Sequence, residues 1–310
     1  MKRFIKENIK PLIFMIILII VVNVELPYYI EAPGGTINLT ERIDENYNKK
    51  NGSLNMLYVT EYKVNIVTVL LSKIIKTWDL YEISNQQVSD EDAKDIYIRN
   101  KVMLENSIQN ATLVAYKEAN KKIEIKETKN IVIATTKDNG IEIGDEIIEV
   151  DNTPIIDITT IKKYLETKKE NDIVKIKIKR NGKTKVIGIA MITNYEYETE
   201  DELNINFKSG EGGSSGGLVL ALGIYSEITG IDLLKGRNIA GTGTIDALGN
   251  VGEIDGVKYK IAGAVKNKMD VILVSPYNYE EAKKVIKENN YKIELVKVST
   301  FKEAIEYLTK

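Results

Sequence analysis

Two residue types are missing from this chain of 310 residues, and each absence narrows its chemistry. There is no histidine. That excludes a Ser-His-Asp triad, a histidine-ligated zinc site and an imidazole proton shuttle. There is no cysteine, which excludes thiol nucleophiles, thiolate metal sites and disulfides. An excess of one charge is also lacking: 43 Lys and Arg stand against 45 Asp and Glu, for a formal net charge of −2. The basic residues are spread along the whole sequence, so there is no basic footprint for nucleic acid. A hydrolase built from what remains must activate a serine or threonine with a lysine or a carboxylate. The length fits about two domains, and 43% hydrophobic against 28% charged residues is globular material.

The stretch that invites chemistry is residues 210–217, Gly-Glu-Gly-Gly-Ser-Ser-Gly-Gly, which runs into Leu218-Val219-Leu220-Ala221-Leu222. A glycine-rich turn that delivers a serine to the start of an apolar helix exposes a nucleophile. The first N–H groups of that helix have no intrahelical partner and lie at its positive end, where they can hold an oxyanion. A flexible Gly/Ser linker is the plain alternative for the stretch taken alone.

At the N-terminus, Lys2, Arg3, Lys6 and Lys10 precede an apolar run from Pro11 to Val24 broken only by Asn23. As a helix the run covers about 21 Å, short of a hydrocarbon core of roughly 30 Å, and Leu26 to Ile30 can extend it. Residues 1–10 therefore read as a cytoplasmic tail and 11–30 as a transmembrane anchor, with the remainder outside the cell membrane. A cleaved signal peptide is the rival, although Val22-Asn23-Val24-Glu25 offers no small-x-small cleavage site.

Pro33-Gly34-Gly35 is a turn signal. Residues 36–39 and 54–60 read as strands, 64–77 as helical, and Trp78 as a packing residue. Ser89-Asp90-Glu91-Asp92 provides a serine cap and first-turn acids for a helix running to about Ala119. Residues 121–195 form a β-rich module. Its hairpin strands turn at Asn181-Gly182, a strong hairpin signal, which also explains the phosphate-loop look of Asn181-Gly182-Lys183-Thr184. Residues 141–152, Ile-Glu-Ile-Gly-Asp-Glu-Ile-Ile-Glu-Val-Asp-Asn, resemble the signature of PDZ domains, with Asn152 in place of a final glycine. That resemblance implies binding of the carboxyl-terminal ends of proteins, or of extended segments, at a sheet edge. Residues 196–310 alternate strand and helix, beginning with a strand at residues 203–207, which argues an α/β unit with partly parallel pairing.

In that last region Gly213-Ser214-Ser215-Gly216-Gly217 resembles the motif around the nucleophile of Lon-type proteases. Ile239-Ala240-Gly241-Thr242-Gly243-Thr244-Ile245, then Gly249, Val251, Gly252 and Ile254, then Gly256-Val257-Lys258-Tyr259-Lys260-Ile261 and Gly263-Ala264 follow the same family's order. The resemblance implies an α+β Lon-type proteolytic domain with an inserted PDZ-like module and one N-terminal transmembrane helix. Residues 31–120 would supply the domain's N-terminal part, since residues 103–111 also resemble a helix of that fold. It further implies Ser215 as nucleophile and Lys260 as general base, with Thr242 holding the lysine amine and Gly213 and Gly216 shaping the turn. No metal, cofactor or ATP is implied, the partners being a peptide or protein substrate and the membrane. A homo-oligomeric ring of six is implied by the resemblance alone.

A Ser-Lys dyad makes a physical demand. Free lysine, with a pKa of about 10.4, is protonated at neutral pH and accepts no proton. Burial lowers that value by up to 3 units or more, so the amine must face an apolar, closed surface. Helical periodicity does not choose between Lys258 and Lys260; the family motif does. The competing reading is an exported PDZ scaffold that presents peptides without cutting them. The two readings separate on whether a serine-directed acylating probe labels Ser215.

Overall fold

The structure is a computed structural model that describes residues 8–43, 51–82, 93–135, 140–165, 175–179, 190–200 and 203–310. In sequence order its elements are helix α1 (Ile9–Asn23), strand β1 (Leu26–Asn38), a 3-10 turn (Leu39–Glu41), β2 (Ser53–Val64), α2 (Ile66–Ser72), β3 (Asp79–Glu82) and the long α3 (Ala93–Glu118). Next come β4 (Ile123–Ala134), β5 (Ile147–Val150), β6 (Thr153–Pro154), α4 (Ile158–Leu165), β7 (Ile176–Ile178) and β8 (Ala190–Thr199). The last group is α5 (Gly217–Thr229), β9 (Asn238–Thr242), β10 (Thr244–Ile245), β11 (Val251–Gly252), α6 (Val257–Lys266), β12 (Val271–Val274), α7 (Tyr279–Glu288), β13 (Glu294–Lys297) and α8 (Phe301–Thr309).

A six-stranded sheet in the order β13-β12-β9-β2-β1-β3 organises the fold. β13, β12, β9 and β2 run parallel, while β1 is antiparallel to both β2 and β3. The sheet joins segments on either side of the β4–β8 region, since Leu54 stands opposite Ile239 and Met56 opposite Gly241. Both segments also share a core in which Leu54, Met56 and Tyr116 are buried with Leu220, Leu222 and Phe301. Helix α5 is apolar on every face, and Gly217 to Ser226 are all buried, as expected of a central helix. Gly230, in the left-handed conformation at φ 71°, ends it. A second core under α6 packs Val257, Ile261 and Ala264 against Ile272, Val274 and Val285.

The β4–β8 region is a long antiparallel ribbon, with Ile123 opposite Thr199, beside a small sheet in the order β6-β5-β7. It has its own core of Val132, Ile141, Ile147, Val150, Ile161 and Ile178. Asp151 and Asn152 take φ values of 47° and 62°, so Asn152 occupies the left-handed turn position that a glycine would otherwise fill. The ribbon rests on α3, where Gln109 Oε1 accepts the Tyr195 N–H at 2.9 Å and the Tyr197 hydroxyl donates to Thr112 Oγ1 at 3.1 Å.

Four expectations change. The spanning helix over 11–30 is replaced by α1, whose 15 residues cover about 22 Å. Leu26 to Ile30 belong to β1 instead, because Pro27 lacks the N–H a helix needs and Ile30 is fully buried between β2 and β3. Among the described residues no helix is long and apolar enough to cross a membrane. Pro33-Gly34-Gly35 is a bulge inside β1, not a turn, and a Cβ on Gly34 would sit 2.2 Å from the Tyr58 carbonyl oxygen. The helix expected over 64–77 shortens to α2, which Asn65 and Thr68 start with a capping box, and Trp78 packs on Tyr62 with ring centroids 6.2 Å apart. Residues 203–207 form no strand, and Ile205 makes a lone bridge to Ile43. The Ser89-Asp90-Glu91-Asp92 cap and the Asn181-Gly182 turn lie outside the described residues.

Leu220 is fully buried in the central helix. Leu220→Ala should lower unfolding free energy by about 3 kcal/mol, read from the urea midpoint at unchanged slope.

Candidate active site

Residues 208–217 form a loop that enters α5, and contacts from three directions hold it. From α3, the Asn100 carbonyl accepts the Gly213 N–H at 2.8 Å, Lys101 Nζ donates to the Glu211 carbonyl at 3.0 Å, and Ser107 Oγ donates to the Ser214 carbonyl at 3.4 Å. From beyond β9, the Gly243 N–H donates to the Ser215 carbonyl at 2.9 Å, and the Leu218 N–H returns a bond to Gly243 at 3.1 Å. From the end of the 3-10 turn, Arg42 donates to both oxygens of Glu211, at 2.7 and 3.0 Å. Arg42 is 7% exposed and Glu211 16%. Burial pushes the Glu211 carboxyl up, but the bonds from Arg42 and from the Lys208 N–H outweigh it and leave the group below its ordinary range.

Gly213 has φ 89°, a backbone conformation that excludes most side chains and sets the turn before the serines. Gly216 caps α5 without a side chain, and a Cβ there would press to 2.5 Å on Met56 Sδ. Among the described residues the N–H groups of Ser214, Ser215 and Gly216 have no backbone acceptor. They lie at the positive end of α5, where an oxyanion is stabilised.

Lys260 sits in the first turn of α6, which Gly256 starts at φ 71°. Side chains on a helix lean toward its N-terminus, and this aims Lys260 back toward the 253–256 loop. The residue is 5% exposed. Burial pulls its amine from an ordinary 10.5 to about 8, while the charges of Asp255 and Glu31 act in the opposite sense. Lys258, which the periodicity left equal to it, is separated from it here. It is 38% exposed and ion-paired with Asp79. Tyr259, buried between the two lysines, donates its hydroxyl to Asp79 at 2.6 Å and fixes the helix against β3.

A cavity of about 1130 Å³ brings together Ser215, Gly213, Gly216 and Lys260, walled by β1, β2 and α3. Ser214 lines it too, and also borders a second cavity of about 740 Å³ with Ser107, Asn110 and Tyr277. No hydrogen bond joins the Ser215 hydroxyl to Lys260 Nζ among the described residues, a bond that such sites often complete only with substrate in place. Thr242 makes no hydrogen bond to the amine among the described residues: its hydroxyl donates to the Ser215 carbonyl at 3.3 Å and braces the loop. The Arg42–Glu211 clamp has no local sequence signal, because the two residues lie 169 positions apart.

Residues 193–310 match the Lon protease (S16) C-terminal proteolytic domain, and residues 115–191 match the PDZ domain. The sequence is similar to Lon protease of Neorickettsia sennetsu, with 30% identity over 95 residues. That similarity covers 31% of this chain and 11% of the relative. Over residues 193–310 the chain is thus similar to the proteolytic domain of Lon proteases, and over residues 115–191 to a PDZ domain.

The depressed Lys260 value also bears on stability. Between about pH 8 and 10.5 the unfolded protein holds a proton here that the folded one does not, so stability rises with pH across that window. Below it the full penalty is present, about 3 kcal/mol for that gap. Lys260→Met should therefore unfold at higher urea than the parent at pH 7, with the difference shrinking as pH rises toward 10.5.

Proposed function

We propose that this protein is an ATP-independent endopeptidase that cuts exported or membrane-associated peptides or proteins, with Ser215 as nucleophile and Lys260 as general base. The observation that carries the reading is a lysine buried to 5% exposure, its amine pulled to about 8, in the same cavity as a serine at a helix start. At neutral pH an appreciable fraction of such an amine is uncharged and able to accept a proton.

Lys260 takes the Ser215 proton as the hydroxyl attacks a peptide carbonyl. The tetrahedral oxyanion is held by the unpartnered N–H groups around Ser215, each such donor being worth about 100-fold or more in rate. Lys260 then gives its proton to the leaving amine, and later takes one from the water that clears the acyl-enzyme. No step involves a phosphate, and the chemistry has no use for ATP. Gly213 and Gly216 keep the approach to the hydroxyl narrow and open, and Thr242 holds the backbone beneath it.

In this reading the PDZ domain recruits substrate. Helix α3 supports it, since the same helix walls the cleft with Asn100, Lys101 and Leu104 and holds β8 through Gln109 and Thr112. A homo-oligomer, a ring of six by resemblance, belongs to the same proposal, and sizing of the intact protein reads it directly.

Helix α1 supports a membrane location. It is apolar all round and none of its residues is buried, a surface that water does not favour. The expected outcome is sedimentation of the full-length protein with liposomes, and loss of that sedimentation when residues 1–24 are removed.

The central test is incubation with an unfolded protein in the absence of ATP. Cleavage by the parent should vanish in Ser215→Ala and in Lys260→Ala while both variants keep the parent's circular dichroism. Activity should rise with pH through about 8, as the base loses its proton. A serine-directed acylating probe should label Ser215, located by mass spectrometry of the labelled peptide. A folded Lys260→Ala protein that still cuts would overturn the assignment, and an unlabelled, inactive parent would favour a peptide-presenting scaffold.

A further inference from the structure

The two strands that wall the cleft beside Lys260, β1 and β2, and their neighbour β3 carry three carboxylates in one row. Glu31 on β1 stands opposite Asp79 on β3 and opposite Glu61 on β2. Directly opposed residues of antiparallel strands share a face, and like charges there are destabilising. Asp79 is compensated by Lys258 and by the Tyr259 hydroxyl. Glu31 and Glu61 have no ion-pair partner among the described residues, and Asp255 adds a further negative charge beside Glu31. Glu31 is half-buried. Burial pushes its carboxyl above the ordinary range against the Tyr259 hydroxyl, and the charges of Glu61, Asp255 and Asp79 push the same way. That hydroxyl is already directed at Asp79.

Glu31, Glu61 and Asp255 line the same cavity as Ser215 and Lys260. Of the three other carboxylates of the cavity, Glu41 and Glu211 are satisfied by Arg42, and Glu253 is exposed to water. Lys260 is more than nine-tenths buried and has no hydrogen-bond or ion-pair partner among the described residues. It does not balance the row when it acts, because a general base must be uncharged. A metal ion is not favoured either, since no three acidic side chains among the described residues are arranged to hold one. What fits is a cation on a flexible stem, entering the cleft from outside.

We propose that Glu31, flanked by Glu61 and Asp255, forms the floor of a subsite for a lysine or arginine side chain of the substrate, a subsite that presupposes the peptidase site at Ser215. The cation of the bound residue offsets the carboxylates that favour the ammonium form of Lys260. Recognition and activation of the base are thereby coupled. A basic residue near the scissile bond raises kcat as well as lowering KM.

The test has a binding arm and a turnover arm, both with the full-length protein. In the first, Ser215→Ala protein is titrated with fluorescent peptides that differ at one position as lysine, norleucine or glutamate. The lysine peptide should bind about five- to tenfold tighter than the norleucine peptide, with the gap narrowing in high salt. Adding Glu31→Gln should collapse that ratio, and Glu31→Asp should restore most of it. In the second arm, the parent should cut the lysine peptide with higher kcat than the norleucine peptide. Equal binding of all three peptides overturns the subsite, and if the parent still cuts them the peptidase reading stands. Selective binding through Glu31 with no cleavage and no probe labelling of Ser215 overturns the peptidase reading instead.

Discussion

A buried lysine amine is the constraint on which the site depends. An ammonium ion deprived of water is unfavourable, and the fold creates that deprivation by closing β1, β2 and the 253–256 loop around Lys260. The position on α6 adds to it, because the first turn of a helix repels positive charge. Two residues earlier Lys258 meets water and a carboxylate, and there the same kind of residue behaves as an ordinary surface cation. The difference between a buried amine and a solvated charge here is one of direction around a single helical turn. Tyr259 sets that direction by binding Asp79 on β3.

The serine side of the cleft is assembled differently, by many backbone bonds and one buried ion pair. The loop before α5 holds no regular structure of its own; α3 and the strand end at Gly243 bind its Glu211, Ser214 and Ser215 carbonyls and the Gly213 N–H, and leave the N–H groups of Ser214, Ser215 and Gly216 without a backbone acceptor. Arg42 and Glu211 add a two-bond clamp from a distant part of the sequence. A buried pair of this kind gives less net stability than its distances imply, since both groups have lost water. Its larger effect is to fix where the loop lies, and with it the N–H groups beside Ser215.

Much of this was legible in the sequence, for physical reasons that differ by element. The α5 run and the β12 run are continuously apolar, and such segments are buried wherever they fall, so their places were readable. The glycines of the serine loop marked a turn because few other residues can adopt it. Family order pointed to Lys260 where helical periodicity could not, and the structure buries that lysine while it leaves Lys258 partly exposed. What stayed hidden depends on partners far away in the sequence. Pro33-Gly34-Gly35 has the local chemistry of a turn, yet the approach of Tyr58 makes it a bulge. Leu26 to Ile30 are apolar enough for a membrane helix, and only pairing with β2 and β3 makes them a strand. Thr242 was expected at the amine, but its hydroxyl turns to the Ser215 carbonyl.

The division of the main sheet between two distant stretches of sequence has a consequence for how the protein is made. Ser53 Oγ and Asn238 Oδ1 meet at 2.9 Å across 185 positions. At about 5–20 residues per second, a ribosome needs roughly ten to forty seconds to supply the partner that β2 waits for. Throughout that interval the open edge of β2 is an unpaired template, while the module between can fold around its own core. Lys260 emerges later still, and the cleft that it lines with Ser215 can assemble only after that. A nascent copy therefore has no assembled cleft, and synthesis itself acts as the timer that decides when Ser215 and Lys260 first share one.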